Sequence, residues 1–295
     1  MVTHQKILII YNPHAGQKKR GLFAQTLALL RTASAEIDIK ETTYAGHARE
    51  IAKKYKDGPY HKICAAGGDG TINEVLNGLY PCNLPLGIIP LGTANVLAKE
   101  ILPAETPVII SKAIMEGTPK HCWLGKIEAQ YFSLMVSMGP DAQTVLNVNL
   151  SIKKAIGKAA YALSFLKEII FYRPVKYQVT IDGAVQQASA VIISKGKYYG
   201  GRYICAPDAD LEKREFHIVL FKKTGRFSAL GYALKMIFNM IPQDKSVEII
   251  TGKYITVHSD PIVSFQKDGD PGEKLPVTIT LSNATIPIMT TAQTQ

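Results

Sequence analysis

Cysteine is scarce in this sequence, and its copies lie far apart. Cys64, Cys82, Cys122 and Cys205 are the four cysteines among 295 residues, with no CxxC pair and no Cys/His spacing typical of zinc ligands. The pattern argues against a structural zinc site and a disulfide framework. It favours reduced thiols in a cytoplasmic protein.

Long apolar runs are also missing. The two most apolar windows, 161–172 and 227–241, are interrupted by Lys167, Glu168 and Lys235. Neither approaches the roughly 18 apolar residues that span a bilayer. The N-terminal stretch lacks a cationic region followed by a long apolar core, so we expect a first strand there and no signal peptide.

Acidic residues are outnumbered, because 34 lysines and arginines face 24 aspartates and glutamates, which gives a net charge of +10. Such a surface favours an anionic partner: a nucleotide, an acidic membrane or a nucleic acid. The chain has no nucleic-acid-binding motif and no long basic cluster, so a nucleic-acid partner is disfavoured.

Residues 1–123 alternate short apolar runs with helical patterns. This alternation predicts βαβ units, and hence an α/β domain with a parallel sheet. The predicted strands are 6–12, 36–44, 62–68 and 85–92, and the predicted helices are 21–33, 47–55, 72–79, 94–101 and 107–117.

Residues 124–295 have a different rhythm, with many short strand-like runs. Asp182-Gly183 is a hairpin signal, because glycine tolerates positive φ. Only two helical patterns, 152–172 and 227–241, interrupt the strands. We therefore predict a second, mainly antiparallel, sandwich-like β domain, and a return of its last residues to the first domain stays an open alternative. A cleft between two domains is the default place for an active site.

The stretch "AAGGDGTINEV" enters a helix through a glycine turn. Gly67 and Gly68 let a ligand approach the main chain, and a helix N-terminus beside such a turn binds anions. Thr71 and Glu74 have the spacing of a capping box. The turn matches neither a Walker loop nor GxGxxG. A tight turn with Asp69 as a local cap is the alternative interpretation.

Two other predicted strands end in similar turns. One passes through Asn12-Pro13 and Gly16 to the basic run Lys18–Arg20, and the other passes through Gly92-Thr93. Because the carboxyl ends of parallel strands face one crevice, three such turns could line a single nucleotide. For Lys18 and Lys19, a solvated helix end is the alternative.

The three turns, "YNPHAG", "GGDGTINEVLNGL" and "PLGTANVLAKE", resemble those of the diacylglycerol kinase-like lipid kinases, in their soluble bacterial and sphingoid-kinase-like branches. "ETTYAGHAREIAKKY", "SKGKYYGGRYICAPDA" and "FQKDGDPGEKLP" extend the resemblance along almost the whole chain. The resemblance implies a Rossmann-like domain, a β-rich domain, and ATP with Mg²⁺ in the cleft between them. The implied nucleotide contacts are Asn12, Pro13, His14, Ala15, Gly16, Thr42, Gly67, Gly68, Asp69, Gly70, Thr71, Ile72, Asn73 and Thr93.

Two acids are the candidate catalytic residues. Asp69 lies where phosphate oxygens would bind, so we expect it to orient the magnesium–phosphate group, directly or through water. Asp270 stands where the family usually has the glutamate that accepts the proton of the lipid hydroxyl. Asp268 and Glu273 are nearby alternatives, and a plain hairpin turn with solvated acids is the other interpretation.

Many bacterial relatives hold a structural magnesium through an aspartate in a later loop. In the same register this chain has Lys213, followed by Arg214. We therefore predict no metal ion at this second site, with the Lys213 ammonium in its place.

A lipid acceptor requires contact with a membrane surface. Tyr198, Tyr199 and Tyr203 alternate with basic residues, and the 152–172 pattern has lysines at its start and an apolar stripe. We therefore expect a peripheral protein on an anionic membrane, although core packing also explains the stripe. Two alternative functions stay open: an NAD-kinase-like enzyme and a non-catalytic lipid- or nucleotide-binding relative. A homodimeric assembly also stays open, whichever function applies.

Overall fold

The computed structural model describes residues 5–16, 19–33, 35–140, 142 and 174–291. The chain divides into two compact units: Met1–Leu124 together with Asn283–Gln295, and Gly125–Ser282. The predicted helix 152–172 and Lys18 lie outside the described residues.

The first unit contains a parallel sheet in the order β2-β1-β3-β4, with the end of the last strand, β18, parallel to β4. Its strands are β1 (Gln5–Tyr11), β2 (Ala35–Glu41), β3 (Lys62–Gly67), β4 (Leu86–Pro90) and the second half of β18 (Val277–Thr290). Its helices are α1 (Arg20–Thr32), α2 (His47–Tyr55), α3 (Asp69–Leu79), α4 (Val96–Ile101) and α5 (Pro107–Glu116).

The apolar run of β1 explains why this strand is central. Ile7, Leu8, Ile9 and Ile10 are consecutive and completely buried. A strand whose side chains are buried on both faces needs cover on both sides of the sheet, which is typical of parallel α/β sheets. The predicted alternation of strands and helices in this unit is confirmed.

The second unit is built from antiparallel strands. One sheet has the order β14-β13-β10-β7-β16-β17; β8 pairs with β9 and β15, β15 also pairs with the start of β18, and β5 pairs with β6. Strand β5 (Thr118–Ile127) begins in the first unit and crosses the boundary between Leu124 and Gly125. The strands after it are β6 (Gln130–Phe132), β7 (Met135–Met138), β8 (Lys176–Ile181), β9 (Ala184–Ala188), β10 (Ala190–Ser194), β11 (Tyr198–Tyr199), β12 (Tyr203–Ile204), β13 (Phe216–Phe221), β14 (Val247–Gly252), β15 (Ile255–Asp260), β16 (Ser264–Lys267) and β17 (Asp270–Lys274).

Two local features of the second unit follow from sequence. Asp182 and Gly183 both have positive φ in the β8–β9 turn, as the hairpin prediction requires. Helix α6 (Arg226–Ile237) is shorter than the predicted 227–241. Asn239 has φ +57°, a left-handed conformation that stops a helix, and a 3-10 turn follows at 241–243. The predicted fold class, α/β followed by antiparallel β, is confirmed.

None of the helices in the described ranges is long and apolar enough to cross a bilayer.

Candidate functional site

Three glycine-bearing turns of the first unit touch one another through their backbones. Gly16 has φ +58°, and a Cβ built on it would lie 1.8 Å from the carbonyl oxygen of Leu91. A Cβ on Gly92 would lie 2.6 Å from the Cα of Gly68. Only glycine fits at such contacts. The structure therefore brings together the turns after β1, β3 and β4, which the strand pattern placed at one edge of the sheet.

Helix α3 presents an open N-terminus within this group of turns. Its N-cap is Gly68, which is extended and provides no side chain. In the described part of the chain, the backbone N–H groups of Asp69, Gly70 and Thr71 have no protein acceptor. Unpaired amides at a helix N-terminus, next to glycines that leave the main chain bare, are suited to phosphate oxygens.

The turn after β1 is fastened to α3 by Asn12. The Asn12 amide Nδ2 donates to the Thr71 hydroxyl at 3.1 Å, and its Oδ1 accepts from the backbone N–H of His14 at 3.0 Å. The N–H of Asn12 also donates to the carbonyl of Ala66 at 2.9 Å. Thr42, just after β2, donates its N–H to Tyr11 at 2.8 Å. The nucleotide contacts implied by the resemblance at 12–16, 42 and 67–73 thus lie at one edge of the sheet.

Asp69 is committed to the third turn. Its carboxylate accepts the backbone N–H groups of Asn95 at 2.9 Å and Val96 at 2.8 Å, so it caps helix α4. Burial raises the pKa of Asp69, although these amide bonds and the charge of Lys99 act in the opposite direction. Asp69 is therefore a cap, as the alternative interpretation had it, but it caps α4 across the site. Direct magnesium ligation would compete with two amides.

The predicted capping box is wrong. Thr71 lies inside α3, and Glu74 reaches the neighbouring helix α2, where its carboxylate accepts from Gly46 N at 2.9 Å and Ala48 N at 3.1 Å. Thr71 and Glu74 have the i, i+3 spacing of a capping box, but the Glu74 carboxylate binds backbone N–H groups at the start of α2 instead. Glu74 thereby fastens the turn that follows Thr42 to α3.

A charged cluster behind the third turn was missed by sequence reasoning. Glu105 accepts from Lys19 Nζ and Asn95 Nδ2 at 2.8 and 2.9 Å. Lys19 also donates to the carbonyl of Pro90 at 3.2 Å, so it joins the first turn to the third. Burial alone would raise the pKa of Glu105, but the bonds from Lys19 and Asn95 and the charge of Lys99 hold it below its ordinary value. Lys19 is thus engaged and not simply a solvated helix end.

Thr93 is exposed in the third turn, between Gly92 and Asn95. Asn95 itself is completely buried in a left-handed conformation, and its Oδ1 has no hydrogen-bond partner in the described structure. That oxygen lies 2.7 Å from the position of a Cβ on Gly92. The turn is therefore shaped by Asn95 and Asp69, while Thr93 remains accessible to a ligand.

The two acids of the β16–β17 turn play different structural roles. Asp268 and Gly269 have positive φ, and the Asp268 carboxylate accepts from the backbone N–H groups of Ser133, Leu134 and Met135 at 2.7 to 3.0 Å. Burial raises the pKa of Asp268, against the effect of these amides. Asp270 is exposed at the start of β17. Of the two, Asp270 is the acid that a substrate hydroxyl could approach.

The position predicted for the Lys213 ammonium, at the second metal site, is occupied by the ammonium of Lys195. The Lys195 ammonium is completely buried and donates to the carbonyls of Glu215 at 2.8 Å, Asp210 at 3.4 Å and Lys213. The Lys213 side chain is exposed, so the expectation that its ammonium fills the loop is wrong. The physical reason is the length of the Lys195 side chain. Lys195 follows β10, and its ammonium reaches the loop carbonyls from the buried side of the loop. Among the described residues, no group of three or more His, Cys, Asp or Glu could hold a metal ion.

Comparison with known proteins agrees with this architecture. The diacylglycerol kinase catalytic domain matches residues 6–127, and the YegS C-terminal NAD kinase beta sandwich-like domain matches residues 134–290. A diacylglycerol kinase of Bacillus subtilis is 30% identical over 275 residues, which are 91% of this chain and 90% of that protein. One of Staphylococcus saprophyticus is 29% identical over 278 residues, with the same coverage. A crystal structure of a diacylglycerol kinase from Bacillus anthracis has a TM-score of 0.76 at 24% identity over 97% of both chains, which shows the common fold.

Proposed function

Because the chain belongs to the diacylglycerol kinase catalytic-domain family, we propose that it is an ATP-dependent lipid kinase. It transfers the γ-phosphoryl group of ATP to a hydroxyl of a membrane lipid, such as diacylglycerol or a sphingoid base, and works from the cytoplasm as a peripheral protein. The observation that carries the proposal is the open N-terminus of α3, whose three unpaired amides lie in a glycine-lined group of turns.

The residues of the three turns have different roles in nucleotide binding. The amides of Asp69, Gly70 and Thr71 bind phosphate oxygens, and Gly68 and Gly92 keep side chains out of the way. Positioning and charge neutralisation are the main requirements of phosphoryl transfer, for which ATP with Mg²⁺ supplies the phosphoryl group and the compensating cation. The Asp69 cap holds the turns at the spacing that the phosphates need.

The residues present fit a magnesium ion that would enter with the nucleotide, since the Asp69 carboxylate would hold it through water. Mg²⁺ keeps several waters and is bound by one or two carboxylates plus substrate phosphates in kinases. The Asp69 carboxylate accepts the amides of Asn95 and Val96, and a carboxylate has about four lone-pair sites, so acceptor capacity remains. A water-bridged role for Asp69 therefore agrees with its cap.

Asp270 is the proposed general base for the acceptor hydroxyl. Asp270 is an exposed residue on a short strand, whereas the carboxylate of the neighbouring Asp268 is buried and accepts backbone N–H groups. An aspartate has nearly the same reference pKa as the glutamate usual at this position, so it can accept the same proton when the hydroxyl is within hydrogen-bond distance.

The test is phosphate transfer by the purified full chain. γ-Labelled ATP and Mg²⁺ are incubated with detergent-dispersed diacylglycerol, sphingoid base, ceramide and phosphatidylglycerol, and products are separated by thin-layer chromatography. We expect label in one lipid class, with diacylglycerol first because relatives carry that name. NADP formed from NAD would instead support the NAD-kinase-like alternative. ATP binding without any labelled lipid would support a non-catalytic relative.

A further inference from the structure

Helix α6 of the second unit carries an apolar face that the described structure leaves in solvent. None of its residues is buried. The face, which we call the α6 face, is formed by large apolar side chains at helical spacing and by those that follow the helix. They are Phe227, Leu230, Leu234, Ile237, Phe238 and Met240, with exposed fractions of 93, 38, 50, 52, 69 and 53%.

Such a face is unlike the other exposed apolar residues of the unit. Val185, Tyr254 and Ile262 are also more than half exposed, but Val185 lies on β9, Tyr254 between β14 and β15, and Ile262 between β15 and β16. Scattered single apolar residues are normal on a protein surface, whereas a continuous exposed face marks an interaction site.

Basic residues predominate in the segment that carries the α6 face. Residues 222–245 contain Lys222, Lys223, Arg226, Lys235 and Lys245 against a single acid, Asp244. Lys222 pairs with Glu248 at 2.9 Å and Lys235 with Asp244 at 2.6 Å. Lys223 and Lys245 have no acidic partner in the described ranges.

The β11–β12 hairpin extends the face at its far end. Asn239 Oδ1 accepts from the backbone N–H of Ile204 at 2.6 Å, which fixes the hairpin beside the end of α6. The hairpin adds Tyr203, with 37% of its surface exposed, and the exposed Arg202. Aromatic and apolar groups rimmed by lysine and arginine are the composition of helices that lie in the interface of an anionic bilayer.

We propose that the α6 face docks on an anionic lipid bilayer, with its apolar side chains in the headgroup boundary and Lys223 and Lys245 against lipid phosphates. The inference rests on the proposed function in one respect, since a kinase for a membrane lipid must reach that membrane. A second copy of this chain is the poorer occupant, because two such faces would bring like charges together. Anionic lipid headgroups instead complement the positive charges of the α6 face.

The first experiment is co-sedimentation of the full chain with vesicles, without ATP. Vesicles contain phosphatidylcholine alone or phosphatidylcholine with phosphatidylglycerol. We expect binding to require phosphatidylglycerol, and F227Q/F238Q to weaken it by about tenfold or more because interfacial binding scales with buried apolar area. The matched control, V185Q/I262Q, removes two apolar side chains outside the α6 face that are 56% and 65% exposed, and should bind as the unmodified chain does.

A charge variant and an assembly measurement complete the test. K223Q/K245Q should lower binding and its dependence on salt, while K176Q/K253Q, which removes two exposed lysines on other elements, should not. The proposal is overturned if the unmodified chain does not bind phosphatidylglycerol vesicles, or if F227Q/F238Q binds as well as its control. It is also overturned if F227Q/F238Q dissociates a dimer in sedimentation velocity while vesicle binding is unchanged.

Activity separates this proposal from the proposed function. F227Q/F238Q should phosphorylate a water-soluble short-chain acceptor at the unmodified rate and lose activity only on vesicles. If the unmodified chain phosphorylates no lipid at all, the proposed kinase function fails, and the vesicle comparison still decides whether the α6 face docks.

Discussion

The contact between Gly68 and Gly92 gives the sharpest perturbation of the candidate nucleotide site. In Gly92→Ala, the new methyl group would lie 2.6 Å from the Cα of Gly68 and 2.7 Å from the Asn95 Oδ1, whereas ordinary contact begins at 3.4 Å. The two turns would therefore have to separate by about 0.8 Å. The obstacle at Gly68 is backbone, so no side chain can rotate away.

Two effects of Gly92→Ala can be worked out from this displacement. Forcing a methyl group into a filled space costs about 1 to 3 kcal/mol of folding stability. A displacement approaching 1 Å at a reacting group costs on the order of 10²-fold in rate. We therefore expect a lower thermal midpoint, weaker ATP binding by titration calorimetry and a large loss of kcat/KM.

Gly21→Ala is the matched control, because a Cβ at Gly21 meets nothing within 4 Å and the residue lies in α1. Alanine in a helix is favoured over glycine by about 0.5 to 1 kcal/mol, so this variant should be at least as stable and should bind ATP normally. The reasoning is refuted if Gly92→Ala binds ATP with the affinity of Gly21→Ala.

Three further predictions concern single side chains. Asp270→Asn should lower kcat by about 10²-fold or more while Glu273→Gln, on the same exposed strand, keeps the rate; equal rates would exclude Asp270 as the base. Lys195→Met should lower the free energy of unfolding by about 2 to 4 kcal/mol, because it leaves the loop carbonyls unpaired. Lys197→Met, the control, should change it little. If a chelator destabilised the unmodified chain, a metal ion in that loop would be indicated instead. The lowered pKa of Glu105 implies stability that is present above its ordinary value of 4.5 and is lost as pH falls through the folded value. The free energy of unfolding, measured in urea across this pH range, should therefore fall less steeply with acid for Glu105→Gln than for the unmodified chain. Parallel curves would contradict the pKa shift.

The elements of the first unit were predictable because their signals are local. The run "KILIIY" is apolar at every position after the first, which marks a strand covered on both faces, and β1 follows it closely. The glycine turns were recognisable for the same reason, since each directly follows an apolar strand. Their meeting at one edge then follows from parallel strand order.

The polar contacts that hold the turns together were not predictable in the same way. Asp69 and Glu74 have local spacings that suggest caps of their own helix, but each caps a neighbouring helix that packing brings closer. Glu105 lies far from Lys19 in sequence and carries no motif. Lys195 replaced Lys213 because a long side chain from another segment reaches the loop carbonyls, and a linear register cannot show such reach.

The central claim is that ATP phosphates bind at the open N-terminus of α3, and residue-resolved amide hydrogen exchange tests it most directly. Without nucleotide, the unpaired amides of Asp69, Gly70 and Thr71 should exchange rapidly. With ATP and Mg²⁺ they should slow markedly, together with residues 12–16 and 92–95, while the β8–β9 hairpin should not change. Unchanged exchange at 69–71 under saturating ATP, or protection confined to the second unit, would contradict the account.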